Sequence, residues 1–427
     1  MPGTCVVINT AALVTVAERP VEGAAGDLGV IPDGALAARD GRIVWVGPRA
    51  ALPMALADDA EVVDAGGRLV IPGYVDAHTH PIFAGSRAAE FCARALGQPY
   101  GELLERGDAG IMSTVNATRA ASEDELLRLA IARADTFLRY GTTTIEAKTG
   151  YGLSPEGEDK SLRVLERLQG LTTLRIVPTY LGAHLVPADY RADPEAYVRL
   201  LLDTMLPAAA GRARFCDVFC DQGAFTVAQS RRILRRAQDL GMAPRLHADE
   251  LADVGAARLA AELGAASADH LVHVDATGME AMARAGTVAT LLPGTTFSLA
   301  SEHYAPARRL IEHGVRLALA TDCNPGTCYM ENMALAVTLA VLKLKLTAEE
   351  ALRAATLGGA YSLRLQDEVG SLEVGKRCDL AVLDATSYQE IPYRVGANLT
   401  RIVVVGGRVV DSRWSIVDGR WSMVDGR

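Results

Sequence analysis

The chain has 427 residues, 49% of them hydrophobic and 22% charged, with a formal net charge of -9. That balance excludes a disordered segment and allows either one large barrel or two ordinary domains. The charge is spread without acidic or basic blocks, no apolar run nears the ~20 residues of a membrane helix, and the amino terminus lacks a basic-then-apolar leader, so the expectation is a cytoplasmic protein with neither nucleic acid nor membrane as partner.

Short β-rich pieces come first, CVVIN and ALAARDGRIVWVG, with Gly-rich turns between apolar stretches. Eight apolar strands then follow: RLVIPGYVDAH near residue 70, TTTIEAK near 143, LRIVPTYLGAH near 176, ARFCDVFCD near 215, APRLHAD near 244, ASADHL near 267, TVATLL near 289 and VRLALATD near 317. Helical stretches lie between them, such as SEDELLRLAIARADTFLRY before the second and ADVGAARLAAELG after the fifth. GSLEVGKRCDLAVLD and RIVVVGGRVV are β-rich again. The last residues, WSIVDGR and WSMVDGR, form a tandem pair too short for a solenoid and read as a duplication or cloning scar at a frayed tail.

Strands alternating with helices at this spacing predict an α/β fold, a (β/α)8 TIM barrel. The two ends predict a small β-sandwich domain formed by the N- and C-terminal segments, because chain ends often lie close together. The expected division is 1–68 for the first part of the small domain, 69–365 for the catalytic barrel, and 366–427 for the second part and tail.

Catalytic groups of such barrels sit at the carboxyl ends of the strands. His78 and His80 close the first strand, His184 the third, His247 and Glu250 follow the fifth, His270 the sixth, and Asp322 closes the eighth. Residues i and i+2 of a strand point the same way, so His78 and His80 can reach one ion. Imidazoles plus a carboxylate are the usual donors for zinc, with a position left for water. An HxH pair alone reads equally well as two turn histidines; five of the eight histidines and an aspartate on one barrel face favour a metal site. His273, His303 and His313 have no such placement, although His273 lies close to His270.

Lys148 ends the second strand and not the fourth, which ends in Cys220 and Asp221, so a mononuclear site is expected and Lys148 is read as a structural or substrate-side donor. The seven cysteines lack CxxC pairs and are expected to be free thiols, with Cys323 and Cys328 packing near the site.

The segments IPGYVDAHTHPIFAGSRAAEF, GTTTIEAKTGYGLS, TYLGAHLVP, DVFCDQGAF, LHADEL, ELGAASADHL, LLPGTTFSL and ATDCNPGTC resemble the amidohydrolase superfamily and, more narrowly, the imidazolonepropionase family. The resemblance spans nearly the whole chain. It implies one divalent metal per subunit, zinc or iron, ligated by His78, His80, His247 and Asp322. It implies a substrate shell of Arg87, Tyr151, His184 and Glu250, with Asn324, Gly326 and Thr327 holding a glutamate-like moiety. The implied reaction opens 4-imidazolone-5-propanoate to N-formimidoyl-L-glutamate in histidine degradation. Asp322 and Glu250 would shuttle protons, His270 would assist at the oxyanion, and Arg87 would hold the propionate. The implied partner is a small carboxylate-bearing substrate, and a homodimer is expected.

The chain departs from the family pattern at GDAGI, where GGGI is expected, and at Cys323 in place of a bulkier residue. A ring deaminase of the same superfamily is the nearest rival, which Arg87 and the NPGT turn disfavour because a neutral ring leaves them unsatisfied. A non-catalytic interaction protein is disfavoured because all four predicted ligands are present.

Overall fold

The computed structural model describes residues 3–58, 60–97, 110–412, 414–417 and 420–423. Three residues of the divergent GDAGI stretch, 107–109, lie outside them. The chain divides into two compact units, one of Met1–Asp76, Thr136–Thr144 and Asn332–Arg427, the other of Ala77–Asp135 and Ile145–Glu331.

Five strands open the chain: β1 (Thr4–Val14), β2 (Val30–Pro32), β3 (Gly34–Arg39), β4 (Arg42–Pro48) and β5 (Glu61–Pro72). Eight follow: β6 (Tyr74–Asp76), β7 (Thr142–Lys148), β8 (Arg175–Ala183), β9 (Phe215–Cys220), β10 (Ala243–Ala248), β11 (Ser267–His270), β12 (Val288–Leu291) and β13 (Leu317–Leu319). Near the far end come β14 (Leu380–Leu383), β15 (Thr400–Val405) and β16 (Arg408–Ser412).

The termini share one eight-stranded sheet, in the order β16-β15-β14-β5-β1-β3-β4 with β2 on β1. Only β1 and β5 pair in parallel; the other pairs are antiparallel. Alternation explains its core: Leu380 and Val382, like Ile402 and Val404, are two residues apart and join Val7, Leu36, Val63 and Val70 in one buried cluster. The tail strands Trp414–Val417 and Arg420–Met423 pair with each other as an antiparallel hairpin.

The second sheet runs in the order β13 through β6, as the βα alternation predicts. Its strands are buried on both faces, which is why they read as nearly continuous apolar runs. A parallel bridge from Thr79 to Cys323 closes the ring. Its hydrogen bonds run from the Asp322 amide to the His78 carbonyl at 3.0 Å and from the His80 amide to the Cys323 carbonyl at 2.9 Å. Closure therefore brings the ends of the first and last strands together. Intervening helices start on side-chain caps that the sequence supplies: Ser154 accepts from Gly157, Thr226 forms a capping box with Gln229, and Asp275 accepts from Gly278.

One predicted strand is two. RLVIP belongs to β5 in the terminal sheet, and only YVD, as β6, enters the barrel sheet. The switch falls at Gly73, whose amide bonds to the Asp379 carbonyl while the Tyr74 amide bonds to Gly141. A Cβ at Gly73 would overlap the Thr143 side chain, so the crossing point requires glycine.

Gly359, in the helix Gly359–Ser362, lies so close to β6 that a Cβ would overlap the Val75 carbonyl oxygen. Alanine would gain roughly 0.5–1 kcal/mol of helix propensity, but forcing apart a rigid backbone contact costs about 1–3 kcal/mol. Gly359→Ala should therefore lower the melting temperature, by roughly 1–2 °C for a chain of this length. A calorimetric melt checks this, and an unchanged or raised Tm would show that the contact yields freely.

Candidate active site

His78 and His80 leave the barrel sheet just after β6, and Asp322 follows β13, so barrel closure sets them side by side. The Nε2 atoms of His78 and His80 are 3.2 Å apart, and Oδ1 of Asp322 lies 3.4 Å from the first and 3.5 Å from the second. Donors ~2.0–2.1 Å from a tetrahedral zinc stand about 3.3 Å from one another, so these separations fit the edges of one coordination tetrahedron. From β10, His247 brings its ring centroid to 4.5 Å from that of His78. His270 joins them: one ring nitrogen from each of His78, His247 and His270 lies within 4.8 Å of the other two. The donor set fits a divalent cation.

The rings are aimed from behind. Asp269 Oδ2 is 2.7 Å from His78 Nδ1, and Asp217 Oδ2 is 3.0 Å from His247 Nδ1. A carboxylate partner places the ring proton on Nδ1 and turns the Nε2 lone pair toward the site. Burial, with help from Lys148, holds the His78 pKa well below the ordinary value, and burial brings His80 down to about 4. Burial works the other way on Asp322, but the His80 hydrogen bond and the His270 charge hold its carboxyl below the ordinary range. Thr295 Oγ1 donates to Asp322 Oδ2 at 2.6 Å, fixing the carboxylate. Asp322 and His270 both have positive φ, 53° and 74°, strain that persists only where the surroundings impose it.

Glu250 is held through its backbone. Asp221 accepts from the amides of Gln222, Glu250, Leu251 and Ala252 at 2.7, 2.6, 2.9 and 3.2 Å. The Glu250 Oε1 lies 3.5 Å from His270 Nδ1. Burial raises the Glu250 pKa, and Asp322 adds to the effect. All the predicted site residues except His78 and Gly326 line one cavity of about 340 Å³. His78 is fully buried beneath it.

Tyr151 sits on a loop clamped by Glu158, which accepts from the amides of Gly150, Gly152 and Leu153. His184 stacks on His80 at 5.3 Å and donates from Nδ1 to the Gly150 carbonyl at 3.0 Å. Asn324 staples its own turn: its Oδ1 accepts from the amides of Gly326 and Thr327, and its Nδ2 donates to the Asp322 carbonyl. Arg87 pairs with Glu90. His273 stacks on His303 beside a second cavity of about 230 Å³ that shares Glu250 and His270. Cys323 and Cys328 are buried thiols, and Cys328 donates to the Thr321 carbonyl.

Sequence reading missed Asp217, Asp269, Glu146 and Arg245. A signal was there: Glu146, Arg245 and Asp217 are charges inside apolar strands, the first two placed two residues before Lys148 and His247 and so on the same face. Lys148 is fully buried in ion pairs with Glu146 and Asp217, which makes it a structural cation.

Residues 84–411 match the model of the Amidohydrolase family. A protein named imidazolonepropionase from Symbiobacterium thermophilum is 49% identical over 415 residues, 96% of this chain and 97% of its own length. One of the same name from Myxococcus xanthus is 50% identical over 404 residues, 94% and 96% of the two chains. The chain belongs to the imidazolonepropionase family of amidohydrolases. Solved structures share its fold: a zinc-bound adenosine deaminase from Xanthomonas campestris superposes with a TM-score of 0.68 at 22% identity, covering 99% of this chain and 94% of its own. A 5-methylcytosine deaminase from Klebsiella pneumoniae reaches 0.73 at 17%, covering 96% and 99%. Those deaminases mark the fold alone, whereas the imidazolonepropionases are near half identical along nearly all of the chain.

For this imidazolonepropionase-family chain, the carboxylates behind the histidines carry a measurable consequence. Asp269→Asn should weaken zinc retention by roughly 10- to 100-fold with the fold intact, the usual effect of losing a carboxylate behind a ligating histidine. Competition with a chromogenic chelator reads the affinity, and unchanged competition would detach Asp269 from the site.

Proposed function

We propose that the chain hydrolyses the cyclic amide of 4-imidazolone-5-propanoate to N-formimidoyl-L-glutamate, a step of histidine degradation. The observation that carries this reading is that one cavity of about 340 Å³ is lined both by His80, His247, Glu250 and Asp322 and by Arg87. Its volume suits a five-membered ring with a short carboxylate arm. Arg87 gives that carboxylate a fork-shaped partner, which a neutral ring would leave unmet.

A divalent cation, zinc or iron, held by His78, His80, His247 and Asp322 would polarise a water and the ring carbonyl. Asp322, ionised and fixed by Thr295, accepts the proton of the attacking water. His270 Nε2, buried and without a hydrogen-bond partner among the described residues, is available to the oxyanion that forms at the ring carbonyl. Glu250, with its pKa raised by burial, delivers a proton to the ring nitrogen as the carbon–nitrogen bond breaks. Tyr151 and His184 wall the cavity beside His80 and keep the ring flat against it.

The direct test mixes purified protein with 4-imidazolone-5-propanoate and follows loss of ring absorbance with and without a chelator. Turnover that the chelator abolishes is expected, and release of ammonia from a purine-like ring with the imidazolone untouched would transfer the chain to the deaminases. Glu250→Gln should lower kcat by roughly 10²- to 10⁴-fold, the usual share of a positioned acid–base group, while metal content stays constant. Unchanged turnover would remove Glu250 from the proton path.

A further inference from the structure

Resting on the reading of the chain as a hydrolase of 4-imidazolone-5-propanoate, we propose that Phe219 is a specificity-determining residue that limits the substrate to a five-membered ring. Barrel register puts it level with a predicted metal ligand. Phe219 and His247 are paired positions on the parallel strands β9 and β10, and Asp217 and Arg245 are paired two residues earlier. Side chains two apart along a strand share a face, so Phe219 stands one layer above the buried Asp217 as His247 stands above Arg245. The Phe219 ring centroid lies 5.5 Å from that of His247 and 6.3 Å from that of His184. His184 in turn stands 5.4 Å from Tyr151, so Tyr151, His184 and Phe219 form one aromatic wall of the cavity.

Two observations make this side chain a gauge of ring size. Five of the six β9 residues are buried, whereas Phe219 keeps exposed surface, so a bulky apolar ring in a concave site is left for a ligand to cover. Of the described residues that line the cavity, only Phe219, His247 and His270 lie within barrel strands; Leu185, Leu251 and Leu299 lie outside them. A wall residue on a hydrogen-bonded strand yields less to a wider ring than one on a connection does. The Phe219 carbonyl also accepts from the Phe225 amide at 3.0 Å, which fixes the strand end. Closure thus sets the place of this side chain and leaves its size free. With no polar atom, Phe219 acts by packing against a planar ring and by filling the volume that a larger ring needs.

The test measures kcat/KM on 4-imidazolone-5-propanoate and on its ring-expanded homologue, a dihydropyrimidinone with one extra methylene in the ring and the same propanoate arm. The wild type should prefer the five-membered ring by about 10- to 200-fold, the worth of one methylene in a fitted pocket. Phe219→Ala should narrow that ratio by roughly tenfold, raising the homologue while the imidazolone falls by roughly 3- to 10-fold through loss of an aromatic contact. Phe219→Leu, which keeps an apolar side chain on the strand, should narrow it by less, and decides the matter alone if the alanine variant does not fold. A merely structural role would lower both substrates by one factor. That unchanged ratio, or a wild type that accepts both rings equally, overturns the proposal. Wild-type protein that leaves the imidazolone intact ends the hydrolase reading and this proposal with it, whereas normal wild-type turnover with an unchanged ratio in the variants ends the role of Phe219 alone.

Discussion

Five charged side chains share the closed interior of the barrel: Glu146, Lys148, Asp217, Arg245 and Asp269, all with no exposed surface. Lys148 Nζ stands 2.8 Å from Glu146, 2.6 Å from Asp217 and 3.8 Å from Asp269. Arg245 reaches Glu146 at 2.9 Å and Asp269 at 3.1 Å, and donates to the Ala77 carbonyl at 2.7 Å, one residue before His78. Breaking one partner out of such a buried set costs about 3–5 kcal/mol, although the set as a whole contributes little net stability. Its value is geometric. Burial opposes the charge on Lys148, but Asp217 and Glu146 outweigh it and raise the pKa; Asp217 is held well below its ordinary range by His247 and Lys148 against the same burial penalty. The two aspartates that aim His78 and His247 are thus fixed before any cation arrives.

The loops above the floor use one device repeatedly: a buried charged group holds backbone atoms that belong to no regular element. Asp221 gathers the amides around Glu250, Glu158 those around Tyr151, and Asp249 those of Val254, Ala256 and Ala257. Arg133 does the converse, donating to the Pro81 and Phe83 carbonyls while its guanidinium lies 3.4 Å over the Phe83 ring. That contact braces the chain just beyond His80. These groups pair polar backbone that would otherwise be buried unpaired, which is the condition for irregular chain to be rigid. Positive φ at Asp249, His270 and Asp322 is tolerated for the same reason.

The outline of this architecture was legible because each signal was local. Period and composition located the strands, and chemistry-bearing residues at their ends marked one barrel face, so every predicted ligand and substrate residue but two lines the cavity. What escaped was whatever depended on closure. RLVIPGYVDAH reads as one apolar run, and nothing in it announces that the partner changes at Gly73; that change shows only through the steric demand of Thr143. Asp269 was hidden beside the conspicuous His270, although both side chains reach His78. The pairing of Arg87 with Glu90 was equally invisible: an i, i+3 pair on a helix start reads as a surface ion pair until burial is known.

The division between floor and lip explains how one fold accommodates different rings. The floor is built from strand residues whose positions follow from barrel closure, and deaminases of adenosine and 5-methylcytosine share that barrel at 17–22% identity. Selectivity for the carboxylate has to come from residues that closure does not dictate. Arg87 lies beyond the HTH segment at the start of the helix Ala88–Ala95, and Asn324, Gly326 and Thr327 lie in the loop beyond the last strand, all outside the set of buried charges. On the proposed reading, Arg87 supplies a positive pole to the cavity that His80, His247 and Asp322 also line. A substrate with a polarised carbonyl at one end and a carboxylate at the other complements both poles, whereas a neutral ring complements only the first.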